Sequence, residues 1–134
     1  MATAPVVGHG AGMSFTHLPR PTALDSGRDP AHVLYDHACD VLLAAQGLRA
    51  TAGAEGVEPA IAATFGCLES AVDALAQAIE ELADGAVAQV EADPEAASRV
   101  ALQCQDACRV LRVGRDVMGA IRERVGVAFA DVGA

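Results

Sequence analysis

The chain has 134 residues, a formal net charge of -9 and 52% hydrophobic side chains, with no Lys, Asn or Trp, so Arg is its only permanent cation. That length sets a single domain with a modest core. The missing Lys excludes a Walker phosphate loop, Schiff-base chemistry and a catalytic ammonium, and the acidic balance excludes a large nucleic-acid footprint or docking on an anionic membrane, which both need excess Lys and Arg.

Residues 1–29 are rich in Gly, Pro, His and Thr without a steady period and are expected to form a flexible N-terminal tail ahead of a helical domain over 30–134. Met13 offers an alternative start. The opening stretch "MATAPVVGHGAGMSF" lacks the positive n-region and sustained apolar run of a secretory signal. No apolar run is expected to reach the roughly 18 to 20 residues of a membrane helix. These features predict a cytoplasmic protein whose four cysteines stay thiols or bind metal and do not form a disulfide framework. The alanine-rich, lysine-free usage predicts a high-GC bacterial source, actinobacterial by composition. No family is recognised in the motifs.

One punctuation recurs three times: Asp29-Pro30, Glu58-Pro59 and Asp93-Pro94. Proline suits the first helical position, where its missing N–H would be unpaired anyway, and an acidic neighbour complements the helix dipole. Asp is the better N-cap, so the first and third starts are the firmer ones. After the first start, Leu34, Ala38, Val41, Ala45 and Leu48, widened by Tyr35 and Leu42, predict a helix ending near Thr51 or Gly53. After the second, Ile61, Phe65, Leu68, Val72, Leu75, Ile79, Leu82 and Ala86 alternate steps of four and three, a coiled-coil-like seam. After the third, Val100, Cys104, Ala107, Leu111, Gly114, Met118, Ile121, Val125 and Ala128 repeat that pattern. No strand alternation occurs. The expected fold is all-α, a three-helix antiparallel bundle with two long helices.

Charge predicts which helices pair. The second carries Glu69, Asp73, Glu80, Glu81 and Asp84 with no cation, and the third carries Arg99, Arg109, Arg112, Arg115, Arg122 and Arg124. Opposite signs on adjacent helices select register and orientation more than they add stability. An acid-binding stripe at Arg109, Arg112 and Arg115 is the alternative use of the same residues.

The expected lengths leave a gap. At 1.5 Å per residue the second and third helices run roughly 50 Å each and the first about 33 Å. With the first packed back along the second, the seam at Leu82, Ala86, Val100, Cys104 and Ala107 lacks a third helix, which marks it as a candidate interaction groove. A break at Gly85 would shorten the second helix and weaken that expectation. Occupants include the tail through Val6, Val7, Phe15 and Leu18, a second copy of the chain, or another protein.

Cys104 and Cys108, at i and i+4, share a helix side and form half of a possible Cu(I) or zinc site, with Cys39 as the nearest helper. The bland reading is that free cysteines pack as small hydrophobes, with Cys104, Ala107 and Gly114 permitting close approach. A disulfide between the two is excluded by their Cβ directions. His32 and His37, five apart, lie on different helix faces and miss the HExxH geometry. "GHGAG" at 8–12 follows no strand, Ser14, Ser26, Ser70 and Ser98 lack an activating context, and Glu80-Glu81 read as a solvated face. No catalytic residue is assigned. The function expected is a non-catalytic protein–protein interaction or assembly module, self-associating as a homo-oligomer or binding a protein partner, with no nucleic acid, membrane or cofactor. A cysteine-based metal or redox-sensing protein is the alternative.

Overall fold

The computed structural model describes residues 27–132. Nearly all of the expected tail, including Val6, Val7, Phe15 and Leu18, lies outside the described residues, as do residues 133–134 at the other end. The described chain is all-α: α1 spans Pro30–Thr51, a single 3-10 turn Glu58–Ala60 leads into α2 at Ile61–Ala88, and α3 spans Pro94–Val132. At 28 and 39 residues, α2 and α3 are the two long helices expected, about 42 and 58 Å at 1.5 Å per residue.

The helix starts follow from their caps. Asp29 accepts from the Ala31 N–H at 3.1 Å, and Asp93 accepts from those of Glu95 and Ala96 at 3.1 and 3.2 Å, so each satisfies donors that the first turn leaves unpaired. Glu58 caps nothing, and its Pro59 opens the 3-10 turn instead of the α-helix. Gly56, at φ 84, turns the linker between α1 and α2 through a conformation that a side chain would resist. Gly85 does not break α2, which runs through it to Ala88.

The helix pair that packs is α2 with α3, antiparallel, as charge predicts. Its contact line differs from the expected seams by one residue on each helix. From α2 it uses Gly66, Glu69, Asp73, Ala76 and Glu80, and from α3 Arg122, Gly119, Arg115, Cys108 and Arg112. Small residues set the spacing here: Ala76 is fully buried, and the thiol of buried Cys108 donates to the Ala76 carbonyl at 3.3 Å. A methyl added at Gly119 would sit 3.0 Å from Oε1 of Glu69, and one at Gly66 would sit 3.3 Å from the Cδ of Arg122. Close approach is therefore provided by Ala76 and Cys108, while Gly66 and Gly119 leave room for the side chains of Arg122 and Glu69. The expected trio of Cys104, Ala107 and Gly114 does not provide it: Gly114 has open space around it, and Cys108 takes the inner position expected of Cys104.

That one-residue shift moves the apolar seams. A residue step turns a helix by 100°, and in an antiparallel pair equal shifts on both members carry both seams to the same side. Phe65, Leu68, Val72, Leu75 and Ile79 of α2 thus join Leu111, Met118, Ile121 and Val125 of α3 on one face of the hairpin, each only half-buried. Among the described residues, the only fully buried hydrophobic side chains are Ala76 and Cys108.

α1 does not pack back along α2: no Cα of α1 lies within 8 Å of one in α2 or α3. Its stripe stays open, with Leu34, Tyr35, Val41, Leu42 and Leu48 all exposed. The Arg28–Asp36 ion pair and the 3.3 Å contact of His32 with Asp29 are local to this segment, in contrast to the helix-to-helix pairs that join α2 to α3.

Glu58–Ala88 is long and apolar enough, by length and composition alone, to cross a membrane, with a window of mean hydropathy 1.2. This corrects the expectation that no such run exists. The window passes because its apolar residues outweigh at most two charged ones, and over the whole of α2 the carboxylates are crowded onto one side. At 100° per residue, Glu69, Asp73, Glu80, Glu81 and Asp84 fall within an arc of about 120°.

Two substitutions test the packing. Ala76→Leu overfills the contact line and is expected to lower stability by about 1–3 kcal/mol. Gly85→Ala meets nothing within 4 Å and is expected to raise stability by up to about 1 kcal/mol. Urea unfolding followed by far-UV circular dichroism measures both; a neutral Ala76→Leu would mean that the helices do not meet along this line.

Candidate interaction surface

The hairpin separates its chemistry by side. One side collects the charges. Arg115 pairs with Asp73 and, through Nη2 at 3.1 Å, with Asp116. Arg112 reaches Glu80 at 2.6 Å, and Arg122 reaches Glu69 at 3.4 Å. Arg109 pairs within its own helix with Asp106 at 2.7 Å. Hydrogen bonds to Asp73 first, then Asp116, hold the Arg115 guanidinium above its ordinary pKa, against a smaller opposing effect of desolvation. A raised pKa on a base means that its stabilising effect is complete below the ordinary arginine range and lost only above it, so this guanidinium is charged at every working pH. Each member of the expected acid-binding stripe, Arg109, Arg112 and Arg115, therefore already holds a carboxylate of this chain.

The opposite side is almost free of charge. Along it, helical rotation places only Arg115 and Arg122 at the inner border, and both turn into ion pairs with α2. Of the candidate groove residues near the α2–α3 turn, Leu82, Ala86, Val100 and Ala107 fall on this side, whereas Cys104 lines a cleft with Glu80, Arg109 and Arg112. Leu82 is 46% exposed, and Ala86, Val100, Cys104 and Ala107 are half-buried. The uncovered surface is longer than that groove. Because α1 stands away, it continues down the whole hairpin to Phe65 and Ile61.

At its far end lies a feature that the sequence does not announce. Leu48 and Thr51, in the last turn of α1, face Val57, Ile61, Phe65 and Leu68 across an apolar cleft of about 430 Å3. The signal for it is Leu48 and Ile61 standing on either side of a glycine-bearing linker. It is hidden by the expectation that α1 lies along α2, whereas α1 approaches α2 only by one end. A second cleft of about 480 Å3, near the turn, is lined by Glu80, Ala83, Cys104, Cys108, Arg109 and Arg112.

Of the candidate metal ligands, Cys104 and Cys108 share that second cleft, but Cys108 is 3% exposed with its thiol on the Ala76 carbonyl. Cys39 is on α1, which the structure does not bring to α3. Among the described residues no three His, Cys, Asp or Glu side chains gather as a metal-binding group. Ser70 donates to the Gly66 carbonyl at 3.2 Å. His32 lies 3.3 Å from Asp29 on an exposed turn. None of these makes an arrangement of nucleophile, base and orienting group.

No protein family, curated protein or solved structure matches the chain.

The ion pairs predict a rescue. Asp73→Arg places like charges against Arg115 and is expected to lower the thermal midpoint, and adding Arg115→Asp is expected to restore much of the loss by reversing the pair. A double variant no better than the single one would show that the two side chains do not meet.

Proposed function

We propose that this chain is a non-catalytic interaction module whose working surface is the apolar face of the α2–α3 hairpin. One observation carries the reading. Two long helices are zipped by small residues and ion pairs, leaving their apolar seams side by side and covered by no other described element. A contiguous apolar surface of that kind is uncommon on a free soluble chain and marks a place where another surface docks. The amphipathic helix face is a common way of meeting such a surface.

The chemistry of the hairpin supports binding over turnover. In the cleft near the turn, Glu80 is held by Arg112 and the Cys108 thiol by the Ala76 carbonyl, and the guanidinium groups of the hairpin contact line are neutralised by its own carboxylates. The carboxylates of α2 lie to one side, and Glu69, Asp73 and Glu80 engage α3, which favours protein over lipid as what its apolar side meets. The reading places the chain in the cytoplasm, in keeping with four unpaired cysteines, and assigns it no cofactor.

A charge on the face separates docking from folding. Leu82→Arg replaces a side chain that is 46% exposed, so helicity by far-UV circular dichroism is expected to be retained while association weakens on the order of 10-fold or more. Association left unchanged, measured by sedimentation across a concentration series, would remove this surface as the working one.

A further inference from the structure

We infer that the occupant of the apolar face is a second copy of the same chain, so that two α2–α3 hairpins pack face to face as a four-helix assembly. The inference rests on the docking reading above and names its partner. Three observations carry it.

The first is charge. The chain bears a net charge of -9, which opposes bringing two copies together unless the meeting surfaces are nearly free of charge. This face is. Its border guanidinium groups, Arg115 and Arg122, are held by Asp73 and Glu69 of their own chain, and Glu80, Glu81 and Asp84 stay on the solvent side. Two copies meeting here keep their acids outside and apart.

The second is area. The α2 side is about 42 Å long and two neighbouring helices are about 18 Å wide, which makes on the order of 700 Å2 per chain. A stable interface of standard size takes about 800 Å2 from each partner. The face is thus of the extent that a dimer uses, in a hairpin whose fully buried hydrophobic residues are only Ala76 and Cys108 among the described residues.

The third is shape. A two-fold interface needs a surface complementary to itself, and two antiparallel helices side by side provide one along the length of α2: facing hairpins complete an up-and-down four-helix arrangement. α1 is a poorer fit. Its 22 residues reach about 33 Å, shorter than α2, and it stands off the hairpin except at the cleft where Leu48 faces Phe65.

Leu75 lies near the middle of the face, close to where a two-fold axis would pass, so one substitution there acts on both halves of the contact. The test is analytical ultracentrifugation of the full chain. The expected mass is twice the 13.6 kDa of one chain, with Leu75→Arg weakening self-association by roughly 100-fold or more at retained helicity. Val113→Arg, on the charged side where Val113 is 59% exposed, is expected to leave the dimer intact. If Leu75→Arg loses helicity, Leu82→Arg provides the same comparison. A dimer untouched by the face variants overturns the inference. So does a single-chain mass, and hydrogen exchange then separates two cases. With α1 amides exchanging fast and the face binding an apolar dye, the docking reading stands and the partner is a different protein. With no dye bound, the chain covers its own face, through α1 where the α1 amides are slow and through its N-terminal residues where they are fast, and both readings fail.

Discussion

The fold depends on the contact of Ala76 with Cys108 together with the neighbouring ion pairs Asp73–Arg115 and Glu80–Arg112. Ala76 and the thiol are small enough to let two backbones approach, and the ion pairs fix how the helices slide and turn. Exposed pairs add little energy one by one, but several in sequence favour the alignment in which each guanidinium of the line reaches a carboxylate of α2. The line therefore selects an orientation more than it contributes a core.

The hairpin thereby inverts the usual bundle. In a coiled coil the apolar seam is the contact and the charges flank it. Here charges and small residues make the contact, and the seams flank it together on one side. The chain has 52% hydrophobic residues, yet the hairpin buries almost none of them completely. Apolar side chains that pack against no neighbouring element account for the surface on which the proposed function rests.

α1 shows the same logic from the other direction. It has the cap, the proline and the apolar stripe of a bundle helix, but its polar contacts with Arg28 and Asp29 are local and no Cα of it lies within 8 Å of one in the hairpin helices. Helix formation needs only local bonds and a cap, whereas docking needs a complementary partner face. The linker through Gly56 connects the two without committing α1 along the hairpin, and only its last turn meets the start of α2 at the Leu48–Phe65 cleft.

Local rules were enough to read the helices. Asp29-Pro30 and Asp93-Pro94 mark their own starts because capping is decided within a few residues, and the opposite charges of α2 and α3 identify the packing pair because Coulomb complementarity needs no coordinates. The rotation of the helices about their axes was not legible. Periodicity says that Leu75 and Met118 share a stripe with their neighbours, but the seam at Leu75 and the line at Asp73 and Ala76 differ by a single residue. Only the packed pair decides between them, through the steric room at Ala76, Cys108, Gly66 and Gly119 and the reach of guanidinium to carboxylate. The same holds for the cysteines. Their i, i+4 spacing was visible, whereas which of the two turns inward to the Ala76 carbonyl, and that Cys39 stays far from both, depended on helix rotation and on the placement of α1, which are properties of tertiary contact and not of spacing.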